Sequence, residues 1–138
     1  MKIKKIFLFL LLFNLNTSYV YSVTPDVFIQ STVNRASEIL SKNISKEEKI
    51  TQLKIIAKDT VDIRAVGFYS LGSSRKNLDN NQLIKYLNLF EEYFLKSFSS
   101  RLSEYTNPEI EVNGKKVLNE NYTMVNSRLI ETQNRPEV

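Results

Sequence analysis

The sequence has no cysteine and no histidine, and only 3 glycines and 3 prolines among 138 residues. Without thiols there is no disulfide framework, no zinc–thiolate centre and no lipid-modified cysteine near the N-terminus. Without imidazole, the commonest general base, proton switch and metal ligand is missing. So few glycines and prolines argue against Gly-rich phosphate loops, repeat blades and long flexible linkers. The length suits one domain. Neither a cofactor nor a metal site is expected, and most catalytic readings fall before any motif is sought.

What is present begins with an export signal. Lys2, Lys4 and Lys5 form a basic start, Ile6 to Phe13 is an unbroken apolar run, and Asn14, Asn16, Thr17 and Ser18 dilute the apolarity. Val20 and Ser22 supply modest side chains at the two positions a signal peptidase reads, which predicts cleavage after Ser22. Eight apolar residues span only about 12 Å as a helix, against a hydrocarbon core of about 30 Å. That length disfavours an uncleaved anchor over Ile3 to Tyr21. The expected organisation is a secretory signal at 1–22 and one domain at 23–138, in the periplasm. Removing three lysines lowers the formal charge from +4 to +1. The basic pairs that remain, Arg75-Lys76 and Lys115-Lys116, are isolated. This is no electrostatic footprint for nucleic acid, and no nucleic-acid partner is expected.

Four helices are legible. Thr24-Pro25-Asp26 reads as a hydroxyl cap, a proline at the first helical position and an acid at the positive end of the dipole. Ile29, Val33, Ala36 and Leu40 then follow at helical spacing to about Lys42. Ser45 and Glu48 suggest a capping box for a second helix with Ile50, Leu53, Ile56 and Ala57 on its apolar side. Asp59-Thr60 is expected to open a third, short helix carrying Ile63, Val66 and Phe68 and closing at Leu71-Gly72. After a polar connection, Ser73 to Leu78, Asp79 and Gln82 form a further cap pair. The longest helix follows, with Leu83, Tyr86, Leu87, Phe90, Tyr93, Phe94, Phe98, Leu102 and Tyr105 in steps of mostly three and four.

Asn107-Pro108 ends that helix and the period changes. Ile110, Val112 and Val117 flank Asn113-Gly114, which fits either a tight hairpin turn or a bulge in one long strand from Ile110 to Leu118. Tyr122 to Thr132 reads as the next strand, with Thr123, Val125, Ser127 and Leu129 on one face. The fold class is therefore α+β: N-terminal helices packed on a small, incomplete antiparallel sheet. Its last strand has no successor to pair with, so either a second copy covers the edge or the chain lacks a C-terminal portion.

The stretch from Val61 to Tyr105, VDIRAVGFYSLGSSRKNLDNNQLIKYLNLFEEYFLKSFSSRLSEY, resembles the central signature of the MlaC / toluene-tolerance auxiliary family. Leu71-Gly72 matches the apolar-Gly end of a short helix. Leu83, Phe90, Phe94, Leu102 and Tyr105 match the spacing of the capped helix after it, and Ile110 to Thr132 matches a strand pair. The family comprises exported carriers that move phospholipid between the two membranes of Gram-negative bacteria. The resemblance implies phospholipid as ligand, with an inner-membrane ABC transporter complex and an outer-membrane lipoprotein as partners. Family members are longer, so this chain is expected to be C-terminally shortened relative to them.

A carrier needs an apolar slot, because two tails of about sixteen carbons facing water cost on the order of 25 kcal/mol at about 0.8 kcal/mol per CH₂. The expected lipid-binding residues are Phe90, Phe94 and Phe98 on the long helix, Phe68 and Leu71 as a second wall, and Val112, Val117 and Leu129 as a floor. Each has a plain core-packing alternative. Arg64, Arg75 and Lys76 are candidate phosphate contacts or simple surface charge. Glu91 and Glu92 diverge by about 100° on a helix and make no glycosidase pair. Asp59 and Asp62 read as capping and solvated acids, and Asn121-Tyr122-Thr123 is a glycosylation acceptor of little meaning in a bacterium. The competing expectations are a periplasmic adaptor burying its apolar stripe against another chain, a truncated remnant, and a small cone-shaped-sheet enzyme. The last is disfavoured by the missing histidine.

Overall fold

The computed structural model describes residues 22–130. The expected export signal lies outside them except for Ser22, as do Glu131 and Thr132 at the end of the expected last strand. Helices α1 (Pro25–Ser41), α2 (Lys46–Thr60), α3 (Ile63–Ser70) and α4 (Asn80–Leu102) precede a hairpin of β1 (Ile110–Asn119) and β2 (Tyr122–Leu129). This is the α+β arrangement the sequence implies. Helix α1 packs on both strands and on α2, α2 packs on α4, and α3 packs on α4.

Local chemistry sets the helix ends. Thr24 and Pro25 start α1, with Asp26 in its first turn, but the Thr24 hydroxyl makes no capping bond, contrary to expectation, because it bonds the Asp26 carboxylate instead. The Ser45 hydroxyl accepts from the Glu48 amide at 3.1 Å, which is one arm of the expected box. At α4 both arms form: Asp79 accepts from the Gln82 amide at 2.8 Å while Gln82 accepts from the Asp79 amide at 3.0 Å. Two boundaries differ from expectation. The third helix opens at Asp62, whose carboxylate accepts from Ala65, because α2 continues through Asp59 and Thr60. Asp59 instead meets Arg35 at 3.3 Å. Helix α4 stops at Leu102, so Tyr105 lies beyond it, two residues before Asn107 turns the chain at φ 50°. The connection after Leu71 is a 3₁₀ helix, Gly72–Asn77, entered through Gly72 at φ 52°.

The Asn113-Gly114 question resolves as a bulge. β1 is one long strand, and the hairpin turns at Glu120-Asn121 instead. Val112 pairs with Ser127, the register slips by one, and Lys115 then pairs with Val125 and Val117 with Thr123. The extra residue switches which parity of β1 faces inward, so Val112 and Val117 share the face of Val125 and Leu129. Lys115 on that face reaches Asp26 at the start of α1, 2.6 Å away.

Two apolar clusters form the core. Ile39, Leu40, Leu53 and Ile56 join α1 to α2, with Ala36, Leu102 and Tyr105 against them. Ala57, Ile63 and Leu95 join α2, α3 and α4, with Val61, Phe90, Phe94 and Phe98 against them. Ser99 is wholly buried, and its hydroxyl donates to the Leu95 carbonyl, so no polar atom is stranded there.

Candidate functional site

Where the two clusters meet the root of the hairpin, the packing leaves a cavity of about 280 Å³. Helix α1 supplies Val33, Ala36 and Leu40, and α2 supplies Leu53, Ile56 and Ala57. Phe98 and Leu102 come from the end of α4, and Pro108, Ile110 and Leu129 close it from the hairpin. The bulk of each helix is spent on neighbouring turns, but Ala36 and Ala57 present only a methyl where a leucine would fill the space. That is how a gap survives between the helices.

Among the described residues no charged side chain lines the cavity. Three of its hydroxyls are occupied by backbone carbonyls: Thr32 donates to Phe28 at 2.9 Å, Ser37 to Pro108 at 3.2 Å and Thr60 to Ile56 at 2.7 Å. Tyr105 adds a fourth hydroxyl to a lining that is otherwise almost wholly apolar. Such a surface offers a guest dispersion contact and removal from water, which suits hydrocarbon. An apolar cavity of about 150 Å³ holds one benzene ring, so this one takes roughly ten to twelve carbons of a chain.

The structure brings two of the eight expected lipid-binding residues, Phe98 and Leu129, to this cavity. Phe90, Phe94 and Phe98 stack in a row on α4, with ring centroids 6.3 and 5.5 Å apart. Only the Phe98 end of that row reaches the cavity; Phe90 and Phe94 are half-buried against the cluster of α2, α3 and α4. Phe68 is 41% exposed on α3 with the Arg75 guanidinium 5.1 Å over its ring, and Leu71 lies half-buried at the end of that helix. Val112 lines a separate depression with Asp26, Val27 and Gln30. Val117 is 68% exposed near the hairpin turn. The remaining walls, from Val33 to Ala57, had been legible only as helix faces. The signal that marks them is the pair of alanines at inward positions on adjoining helices.

The Glu91 carboxylate meets Lys58 at 3.5 Å, and Arg64 donates to the Asn88 amide oxygen at 3.1 Å, so both are surface contacts away from the cavity. No helix among the described residues is long and apolar enough to cross a membrane. Comparison with curated proteins gave no match, and comparison with solved structures gave none either. The family model for MlaC protein matches residues 30–138, well over half of the sequence. That match takes in every helix but the first turn, both strands and every wall of the cavity. The chain belongs to the MlaC family of periplasmic phospholipid-binding transport proteins.

Proposed function

We propose that this chain is a periplasmic phospholipid carrier that shelters part of an acyl chain in the cavity between α1, α2, the end of α4 and the hairpin root. The observation that carries this reading is an uncharged, apolar space of about 280 Å³ bounded by those elements. Phe98 and Leu129 are its tail contacts among the residues expected from sequence, and Phe90 and Phe94 brace Phe98 from behind. At roughly ten carbons and about 0.8 kcal/mol each, the sheltered segment gains on the order of 8 kcal/mol over exposure to water. The headgroup stays solvated. The carrier works after export, with residues 1–22 removed as a signal and 23–138 folded as one domain. It shuttles lipid between an inner-membrane ABC transporter complex and an outer-membrane lipoprotein.

Native purification followed by lipid extraction and mass spectrometry tests the proposal. Phospholipid recovered near one molecule per chain is the expected result; a folded sample with none opposes it. A second reading is favoured by the hairpin, whose far end exposes Val117, Leu118, Tyr122 and Met124. An adaptor that adds this edge to another protein's sheet fits that exposure. Light scattering after size exclusion separates the two, since the adaptor predicts a stable complex whose cavity stays free of lipid.

A further inference from the structure

Residues 63–90 hold Arg64, Arg75, Lys76 and Lys85 against one acid, Asp79, for a net charge of +3, with Asp62, Glu91 and Glu92 at the borders of that stretch. The Asp79 carboxylate is engaged with the first turn of α4. Among the described residues none of the four cations is in an ion pair. These charges border an apolar exposure of unusual placement. On a helix that lies against a core, the solvent side ordinarily carries the polar residues. The solvent side of α3 carries Val66 and Tyr69 one turn apart, at 43% and 83% exposure, and Phe68, at 41%, about 100° round from Tyr69, beside the exposed Arg64. Gly67 lies between them on the buried side, with Phe90 and Leu87 of α4 close against it.

The cations flank this apolar strip at both ends. Arg64 lies one turn before Phe68 on the same helix, and Arg75 is folded over the Phe68 ring with Lys76 beside it in sequence. Aromatic rings that face water beside solvated cations are the composition of surfaces that lie at headgroup level on anionic membranes. Cations on both sides of the rings match a laterally uniform negative sheet better than the single acidic groove of a protein partner.

We propose that α3 and the 3₁₀ turn after it form a docking face for the surface of an anionic phospholipid bilayer, with Phe68 and Tyr69 among the headgroups and Arg64, Arg75 and Lys76 on lipid phosphates. None of these residues lines the cavity, so the inference goes beyond the carrier reading and stands apart from it.

Co-sedimentation with vesicles tests it, using the protein recovered after export from its full-length sequence. The probes are vesicles of pure phosphatidylcholine and of an equal mixture with phosphatidylglycerol. Binding is expected to the mixed vesicles alone and to weaken as salt is raised. Replacing Arg75 and Lys76 together by glutamine weakens it about 25-fold, at about fivefold per basic residue. Phe68→Ser with Tyr69→Ser weakens it as well, and circular dichroism verifies that both variants stay folded. No binding to mixed vesicles at low ionic strength overturns the proposal. So does equal binding to pure phosphatidylcholine, or an unaltered Arg75→Gln, Lys76→Gln variant, and a face reserved for an acidic protein gives the first of these results. Ala36→Phe, which fills about half of the cavity, leaves docking intact, so a failed carrier and a failed docking face give different results.

Discussion

Ala36→Phe separates a vacant slot from a well-filled core by the sign of its effect. Ala36 is half-buried on α1, against Ile39, Leu40, Leu53 and Ile56, and its methyl borders the cavity. The added ring needs about the space of benzene, roughly 150 Å³, which is about half of the 280 Å³ available. Burying a phenylalanine contributes about 1.5–3 kcal/mol, and its poorer helix propensity takes back up to about 0.7 kcal/mol. The lipid-free variant is therefore expected to be more stable than the parent by about 1–2 kcal/mol. Meanwhile the slot loses room for about five methylenes, which at about 0.8 kcal/mol each amounts to about 4 kcal/mol, or roughly a thousandfold in lipid affinity. Urea unfolding of delipidated protein at constant m-value reads the first effect, and phospholipid recovered per chain reads the second. A variant that loses the 1–3 kcal/mol typical of overpacking, while retaining its lipid, refutes the assignment of this space to an acyl chain.

Three further substitutions probe the frame around the slot. The Lys115 ammonium, hydrogen-bonded at 2.6 Å and helped by the Thr24 side chain, lowers the Asp26 carboxyl from 3.8 to about 2. A carboxyl lowered on folding stabilises the fold above its unfolded value, and that contribution fades as pH falls through the folded one. The Tm advantage of the parent over Asp26→Asn should thus be constant above about pH 4, shrink towards pH 2 and diminish in salt. Asp79→Ala removes the α4 capping pair, and a loss of about 1 kcal/mol in chemical denaturation is expected. Gly67→Leu cannot be accommodated as the helices stand, because even its Cβ meets Phe90 Cδ1 at 2.7 Å. Separation of α3 from α4 at a cost of about 1–3 kcal/mol is expected, read by loss of hydrogen-exchange protection in α3.

How much of this was legible in the sequence depends on whether a feature is local. The caps at Ser45 and Asp79, the proline start of α1 and the glycine exit after Leu71 each involve neighbours a few residues apart, and the residue types announce them. Tyr105 fits the spacing of α4, yet it lies just beyond the helix end and packs from there on the cluster that Leu102 also borders. Asn113-Gly114 admitted both turn and bulge. What decided it was long-range: Ile110 opposite Leu129 and Val117 opposite Thr123 keep apolar side chains on the helix-facing side only if the extra residue sits at the bulge. The slot was the least legible feature. A row of phenylalanines suggests an apolar wall, yet rings that stack on one another at 5.5–6.3 Å fill space rather than leave it. The space lies instead where small side chains from α1 and α2 both border it, a coincidence of two segments about twenty residues apart in sequence.

That coincidence has an energetic consequence for how such a protein works. At about 24 cal/mol per Å³, leaving 280 Å³ unfilled forgoes up to about 7 kcal/mol, which rivals the whole stability of a small domain, about 5–15 kcal/mol. Selection for stability alone would place a larger residue at position 36 or 57, and either change is a single substitution. On the proposed reading, a tail that enters this partly open space recovers some of that energy. Occupancy and stability are then coupled through mass action. The unloaded chain should melt well below the loaded one, and its melting temperature should rise with added phospholipid. If the proposed carrier role holds, release calls for an acceptor that offers the tail an apolar environment continuous with the slot rather than a passage through water.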